Sequence, residues 1–286
     1  MGSEPRAPRR LLTRNRGSRG FAFSGALAPA VQCAVGTNGD GRAPAEIRGK
    51  SLAYGAFSLA RSVWRGAALT LRSRSISFAE TVLGACIVVG HNVIHLLPNE
   101  VPILFVAFWI STRVRCGTWK PAALQRPQSW WKTALMALVA ALVLQVGSEL
   151  LVQPLASHFW PRPARVSSLL EAEAMGWPRA LATLAVVWGF AAFGEEIGYR
   201  GYLLERIAHL GNRSRLAYVA AVALVAVLFG FGHFYKGAAG IADSTYSGLV
   251  LGGLYLVSGC NLWAPILAHG FSDTLAVAAV FFGLAN

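Results

Sequence analysis

Long apolar stretches separated by short polar or basic segments dominate the chain after residue 78. The longest approach the roughly 20 residues that an α-helix needs to cross the hydrocarbon layer of a membrane. The stretch at 99–112 is the weakest candidate for a membrane span, because its strictly apolar run, residues 101–110, is only ten residues long. The pattern predicts an all-α, polytopic membrane helix bundle with about seven transmembrane helices, within a range of six to eight. We expect them at 78–97, 99–112, 133–152, 180–199, 216–234, 245–259 and 262–284.

Residues 1–75 differ from the rest of the chain. They are rich in Arg, Gly, Ser and Pro, contain 13 of the 26 basic residues, and lack a sustained apolar run. Such a composition is typical of a segment that cannot bury enough apolar surface to fold alone. We therefore expect a basic, disordered extension at 1–75 and a membrane-embedded domain at 76–286. The charged motifs fall in a core at 180–284.

Composition and charge favour a membrane protein over a nucleic-acid-binding one. Hydrophobic residues make up 55% of the chain and charged residues 14%, whereas soluble domains carry about 25% charged residues. The net charge of +13 comes largely from the N-terminal segment and from residues that flank apolar runs. By the positive-inside rule, the basic segments 112–132 and 200–215 should be cytoplasmic, and so should the N-terminus. We expect a lipid bilayer as partner and no nucleic acid.

The stretch FGEEIGYRGYLLERI, residues 193–207, places charged residues within an apolar helix. A charge at the bilayer centre costs at least about 2.5–3.5 kcal/mol, so these side chains should face a cavity or a partner. Glu196 and Arg200 are four residues apart and should meet on one helix face. Glu195 points about 100° away. It remains a candidate general base.

Two further helices carry polar pairs at the same spacing. Phe229 and His233 are four residues apart, and so are His269 and Asp273. A lone histidine in a helix is more often a structural hydrogen-bonding residue than a catalyst. Polar groups on three separate apolar helices are harder to explain structurally, because each one carries an insertion cost. The joint pattern therefore predicts a functional site.

Straight helices would not bring this site together. At 1.5 Å per residue, Glu196 lies about 15 Å from the expected cytoplasmic boundary, and His233 lies about 25 Å from it. Tilt, a break near Gly198 or Gly201, or a wide cavity would remove the mismatch. A site formed by these residues therefore predicts helices that are not straight parallel rods.

The motifs EExxxR at 195–200, FxxxH at 229–233 and HxxxD at 269–273 occur in this order. In order and separation they resemble the CAAX protease and bacteriocin-processing (CPBP, or Abi) family of intramembrane proteases. That family includes the type II CAAX prenyl endopeptidases. The segment LPNEVPILFVAFWISTRVR is similar to an early segment of bacterial members, so the resemblance extends over 78–286. Asp273 stands where many members have asparagine.

The resemblance implies hydrolysis of a peptide bond in a membrane-anchored protein or peptide, which in part of the family is prenylated. It implies that Glu195 and His233 activate water, and that His269 and Asp273 stabilise the oxyanion or position the water. Glu196 and Arg200 form a supporting pair, with Glu196 as a second candidate catalytic carboxylate. The likeness to bacterial members implies a multi-pass protein of the bacterial inner membrane.

The chemistry has a metal-free and a metal-dependent version. In the second, His233, His269 and a carboxylate bind zinc and leave one position open for water. We favour the metal-free glutamate mechanism, which needs no cofactor, because the sequence has no HExxH helix.

Two other functions compete with a protease. One is a non-catalytic membrane immunity or scaffold protein of the same fold, in which the polar residues form a structural network. The other is a proton-coupled transporter, because intramembrane Glu and His residues also relay protons. The complete set favours catalysis, since a scaffold needs only some of its members: Glu195, Glu196, Arg200, His233 and His269.

Overall fold

The computed structural model describes residues 73–160 and 176–284, which are helical with no β-strand among them. The predicted all-α class is therefore confirmed for this part of the chain. Residues 73–75, expected to end the disordered extension, begin the first helix, and the rest of that extension lies outside the described residues. The helices are α1 Ser73–Asn92, α2 Glu100–Cys116, α3 Trp130–Phe159, α4 Trp177–Leu210, α5 Arg215–Phe231, α6 Gly237–Val257 and α7 Trp263–Phe281.

Local signals in the sequence set several helix ends. The Asn99 side chain accepts a hydrogen bond from the Val101 amide and so caps the start of α2. Gly117 ends α2 at φ +67°, a left-handed conformation that glycine adopts without steric penalty. The Ser214 side chain accepts a hydrogen bond from the Ala217 amide at the start of α5. These caps satisfy backbone groups that helix ends leave unpaired.

Four of the described helices are long and apolar enough to cross a membrane alone: α1, α3, α4 and α7. Helices α5 and α6 qualify only as one span that bends by 62° between Phe231 and Phe234. Each of the seven predicted stretches overlaps one helix, but crossing by all seven stays a prediction. Helix α2, the weakest of the predicted spans, has 17 residues.

Small residues let α5 and α6 approach closely. A Cβ atom at Gly248 would lie 2.7 Å from the Ala226 Cα, and one at Gly230 would lie 2.8 Å from the Ile241 carbonyl oxygen. Neither neighbour is a flexible side chain that could move aside. Close backbone contact through small residues is a common way to pack helices in membranes, and here it places the end of α5 against α6.

Helix α4 runs through the middle of the bundle. Every residue from 196 to 206 is buried. Leu104 and Phe108 of α2 pack into the space left by Gly198 and Gly201 of α4. The charged residues of α4 are therefore enclosed by protein, which is the condition under which intramembrane charges are tolerated.

The ends of α1, α2 and α4 meet at one end of the bundle. Ser77 is hydrogen-bonded to His209 at 2.8 Å and to Arg115 at 3.1 Å. Arg74 donates a hydrogen bond to Asn212. The two basic segments expected in the cytoplasm therefore lie at the same end, called here the basic end. Its cytoplasmic location stays a prediction.

Candidate active site

The part of α4 that carries the two glutamates has an unusual backbone. From Val187 to Glu195 and from Ile197 to Leu204, the helix forms wide turns with i→i+5 hydrogen bonds. Such π-helical turns are rare and occur frequently at functional sites. The helix has no break at Gly198 or Gly201, one of the predicted ways to align the site, because both residues lie within these continuous wide turns. Glu195 and Glu196 lie where the two wide-turn segments meet.

Glu196 and Arg200 form a buried ion pair. Arg200 Nη1 donates to Glu196 Oε1 at 2.9 Å, and the two side chains are 1% and 0% exposed. Arg200 Nη2 also donates to the Gly248 carbonyl of α6 at 3.4 Å. The guanidinium carbon lies 4.5 Å from the centre of the Phe229 ring, within cation–π range. The pair agrees with the expected four-residue contact and ties α4 to α5 and α6.

His269 lies between two carboxylates. Its Nδ1 is 2.8 Å from Glu196 Oε1, and its Nε2 is 3.5 Å from Asp273 Oδ2. The first distance is a hydrogen bond, whereas the second exceeds the usual N–H···O range. Glu196 therefore fixes the orientation of the ring, and Nε2 faces Asp273 with room for another partner. The contact joins α4 to α7 across 73 residues of sequence.

His233 lies in the break between α5 and α6, where the path of the chain bends. Its Nδ1 is 2.9 Å from the Phe229 carbonyl oxygen. A carbonyl can only accept, so Nδ1 must carry the hydrogen and donate it. Nε2 of the neutral ring then has a free lone pair. The Phe229 ring is close to both histidines, with its centroid 4.9 Å from that of His233 and 6.2 Å from that of His269.

Glu195 is partly buried, and its Oε2 atom is inaccessible and has no hydrogen-bond partner. It lies within electrostatic range of Glu196, His269 and Asp273. Buried carboxylate oxygens nearly always have partners, and an exception calls for a specific explanation such as a catalytic role. Glu196 also has a buried Oε2 without a partner, but its Oε1 is bound by Arg200 and His269, whereas no hydrogen bond from the described residues holds Glu195.

A cavity of about 270 Å³ lies beside these residues. His233, His269 and Asp273 line it, whereas Glu195, Glu196 and Arg200 are not lining residues. The structure therefore brings three of the six predicted residues to one cavity wall. Glu196 and Arg200 lie behind that wall and connect to it through His269.

The cavity has polar lining residues that sequence reasoning did not single out. Gln145 of α3 donates to the Ser272 carbonyl at 2.8 Å, and Ser148 donates to Asp243 of α6 at 2.6 Å. Their signal in the sequence is weak, because uncharged polar residues occur in many apolar spans without a functional role.

A second polar group adjoins the site. Glu100, at the start of α2, is buried and accepts a hydrogen bond from the Tyr199 hydroxyl at 3.2 Å. Its other oxygen lies 3.5 Å from Nε2 of His91. Glu100 was not predicted as a site residue, because it lies near the end of a predicted span. The structure places it beside α4.

The donor set does not fit a zinc ion as it is arranged. Within 73–160 and 176–284, no group of three or more His, Cys, Asp or Glu side chains could hold a metal. Nδ1 of His269 and Nδ1 of His233 are both hydrogen-bonded to protein oxygens, which leaves only the two Nε2 atoms as possible ligands. A zinc site needs at least three protein ligands around one point, and the described residues do not provide them in this arrangement.

The described residues form an all-helical fold of apolar helices that encloses a buried Glu–Arg–His–Asp network beside a cavity. Residues 177–275 match the family model of the Rce1-like type II CAAX prenyl endopeptidases. The matched segment covers about one third of the chain and contains all six predicted site residues. The predicted family resemblance is therefore confirmed, and it supports a membrane protease. Searches of curated proteins and of solved structures gave no match.

Proposed function

We propose that this protein is an intramembrane endopeptidase that hydrolyses a peptide bond of a membrane-anchored substrate, with CAAX-prenylated peptides as the favoured class. The observation that carries the proposal is the hydrogen bond from His269 to Glu196, which links the buried Glu196–Arg200 pair to the cavity wall. An ion pair kept only for structure would not need a histidine that reaches a cavity.

In the proposed reaction, Glu195 removes a proton from a water molecule while Nε2 of His233 accepts the water's second hydrogen bond. The water oxygen attacks the carbonyl carbon of the scissile bond, and the carbonyl oxygen becomes an oxyanion. The C–N bond then breaks. The leaving amine takes the proton that Glu195 had accepted, which restores the carboxylate.

In its protonated form His269 is suited to stabilise the oxyanion, because Nδ1–H is donated to Glu196 and Nε2–H remains as a second donor. Asp273 lies 3.5 Å from that nitrogen, too far for a strong hydrogen bond, so the donor can turn to a new acceptor. Glu196 holds the opposite nitrogen at 2.8 Å, and Arg200 holds Glu196. A donor fixed before the reaction starts stabilises developing charge without reorganisation.

Glu195 must reach the attacking water although it does not line the cavity. Catalytic contacts are often long or misaligned without substrate and tighten when it binds. The unpartnered Oε2 gains its missing hydrogen bond if substrate and water enter between His233 and His269. Accepting that hydrogen bond also removes the penalty of a buried oxygen without a partner.

The test is cleavage of a prenylated, internally quenched peptide by the full-length protein in detergent. Wild type should cleave it, and Glu195→Gln should lose at least about 100-fold in kcat, the usual contribution of a general base. His233→Ala and His269→Ala should also be impaired. Glu80→Gln is the control, because it removes a carboxylate paired with Arg115 at the basic end. Full activity in Glu195→Gln would contradict the mechanism.

Two variations of the assay test the substrate class and the metal dependence of the reaction. A matched peptide without the prenyl group tests the substrate class, and equal cleavage of both peptides would show that prenylation is not recognised. Treatment with a zinc chelator should leave the rate unchanged. Loss of activity that added zinc restores would favour the alternative in which His233 and His269 bind the metal.

A further inference from the structure

Lys236 places a cation on the wall of the same cavity that holds His233, His269 and Asp273. It ends the short turn Phe234–Lys236 that joins α5 to α6, and its side chain is partly buried. Among the described residues it forms no ion pair with a carboxylate. A lysine ammonium is a strongly hydrated point charge with three donors. In this position it can bind an anionic part of a substrate.

The acidic residues on the cavity wall do not form ion pairs with Lys236. Asp243 accepts a hydrogen bond from Ser148 at 2.6 Å, and Asp273 faces His269. Glu149 also lines the cavity, and its side chain is exposed. Asp243 and Asp273 each have another partner, and none of the three carboxylates forms an ion pair with Lys236 among the described residues, so the charge of Lys236 is left for a ligand.

We propose that Lys236 binds the C-terminal carboxylate of the peptide that leaves during cleavage. This inference rests on the proposed function. In a CAAX sequence the prenylated cysteine is followed by three residues and then the chain terminus. Cleavage after that cysteine releases a tripeptide with a free carboxylate, which is the anion that Lys236 would bind.

The length of a tripeptide and the size of the cavity agree with this assignment. An extended tripeptide spans at most about 10 Å. His233 and Lys236 are separated along the turn by about 6 Å, and the flexible four-carbon stem of lysine reaches further. The cavity, about 270 Å³, lies just below the usual range of about 300–1,000 Å³ for ligand pockets. Such a space suits a short peptide end better than a folded segment.

The experiment compares two prenylated peptides that differ only at the C-terminus, one a free carboxylate and one a carboxamide. The full-length protein is assayed in phosphatidylcholine nanodiscs, which carry no net headgroup charge. Wild type should prefer the carboxylate by about tenfold in kcat/KM, the usual effect of a hydrogen bond to a charged group. Lys236→Met should cleave both peptides equally, and Lys236→Arg should keep the preference.

Lys132→Met is the matched control. Lys132 Nζ lies 5.8 Å from the Trp131 ring, much as Lys236 Nζ lies 5.7 Å from the Tyr235 ring, but Lys132 is at the start of α3 and does not line the cavity. This variant should keep the preference. Both peptides are compared on one protein, so partial misfolding lowers both rates and leaves their ratio interpretable.

The outcomes distinguish a failure of the role of Lys236 from a failure of the proposed protease function. Wild type that cleaves both peptides at the same rate overturns the role of Lys236 and leaves the protease intact. Wild type that cleaves neither overturns the proposed function itself. If Lys236 binds an anionic lipid instead, adding phosphatidylglycerol will change the activity of wild type but not that of Lys236→Met, and wild type will show no preference for the carboxylate peptide. That result also overturns the inference.

Discussion

Replacing Arg200 with methionine tests the buried ion pair at the centre of the site. Arg200 is 1% exposed and Glu196 is 0% exposed, so the change leaves a carboxylate in a buried environment. Removing one partner of a buried pair costs about 3–5 kcal/mol. The lower figure applies here, because His269 still contacts the same oxygen of Glu196. We expect Arg200→Met to lose about 3 kcal/mol of unfolding free energy.

The assay is unfolding in mixed detergent micelles with rising SDS fraction, followed by circular dichroism. Arg213→Met is the control: its guanidinium is 3.5 Å from Glu205, which is buried but keeps hydrogen bonds from Tyr218 and Tyr255, so the loss should be smaller than for Arg200→Met. Adding Glu196→Gln to Arg200→Met should recover part of the stability. The reasoning fails if Arg200→Met is no less stable than Arg213→Met, or if the second change gives no recovery.

Two further substitutions test the cavity wall and the packing behind it. Asp273→Asn should keep cleavage within about tenfold of wild type, because asparagine retains an oxygen facing His269, whereas Asp273→Ala should lose more; equal kcat values for the two variants would contradict this role. Gly248→Ala should destabilise the protein by about 1–3 kcal/mol in the same unfolding assay, because its Cβ would lie 2.7 Å from Ala226 Cα. Gly253→Ala, with nothing within 4 Å of the new Cβ, should be neutral.

Local periodicity was sufficient to predict the helices and the short-range pairs. The seven apolar stretches all overlap helices, because hydrophobic length is a direct consequence of the bilayer as solvent. The contacts of Glu196 with Arg200 and of His269 with Asp273 follow from a four-residue spacing. The expectation of non-straight helices is also met, since α5 and α6 bend by 62° beside His233.

Long-range features of the site could not be predicted from the sequence. The His269–Glu196 hydrogen bond joins residues 73 positions apart, and no local pattern specifies such a contact. The wide turns of α4 have no residue signature, although they decide which side chains face α2 and α7. Ser148 and Asp243 look like isolated polar residues until α3 and α6 pack together.

Hydrolysis in water enriched in ¹⁸O tests the central claim most directly. If Glu195 activates water for attack on a peptide bond, the wild-type protein will place one ¹⁸O atom in the new carboxyl group of the membrane-anchored product. Mass spectrometry of that product will detect the label, and Glu195→Gln will yield almost no labelled product in the same time. Equal labelled product from Glu195→Gln and wild type, or no product from wild type, would contradict the account.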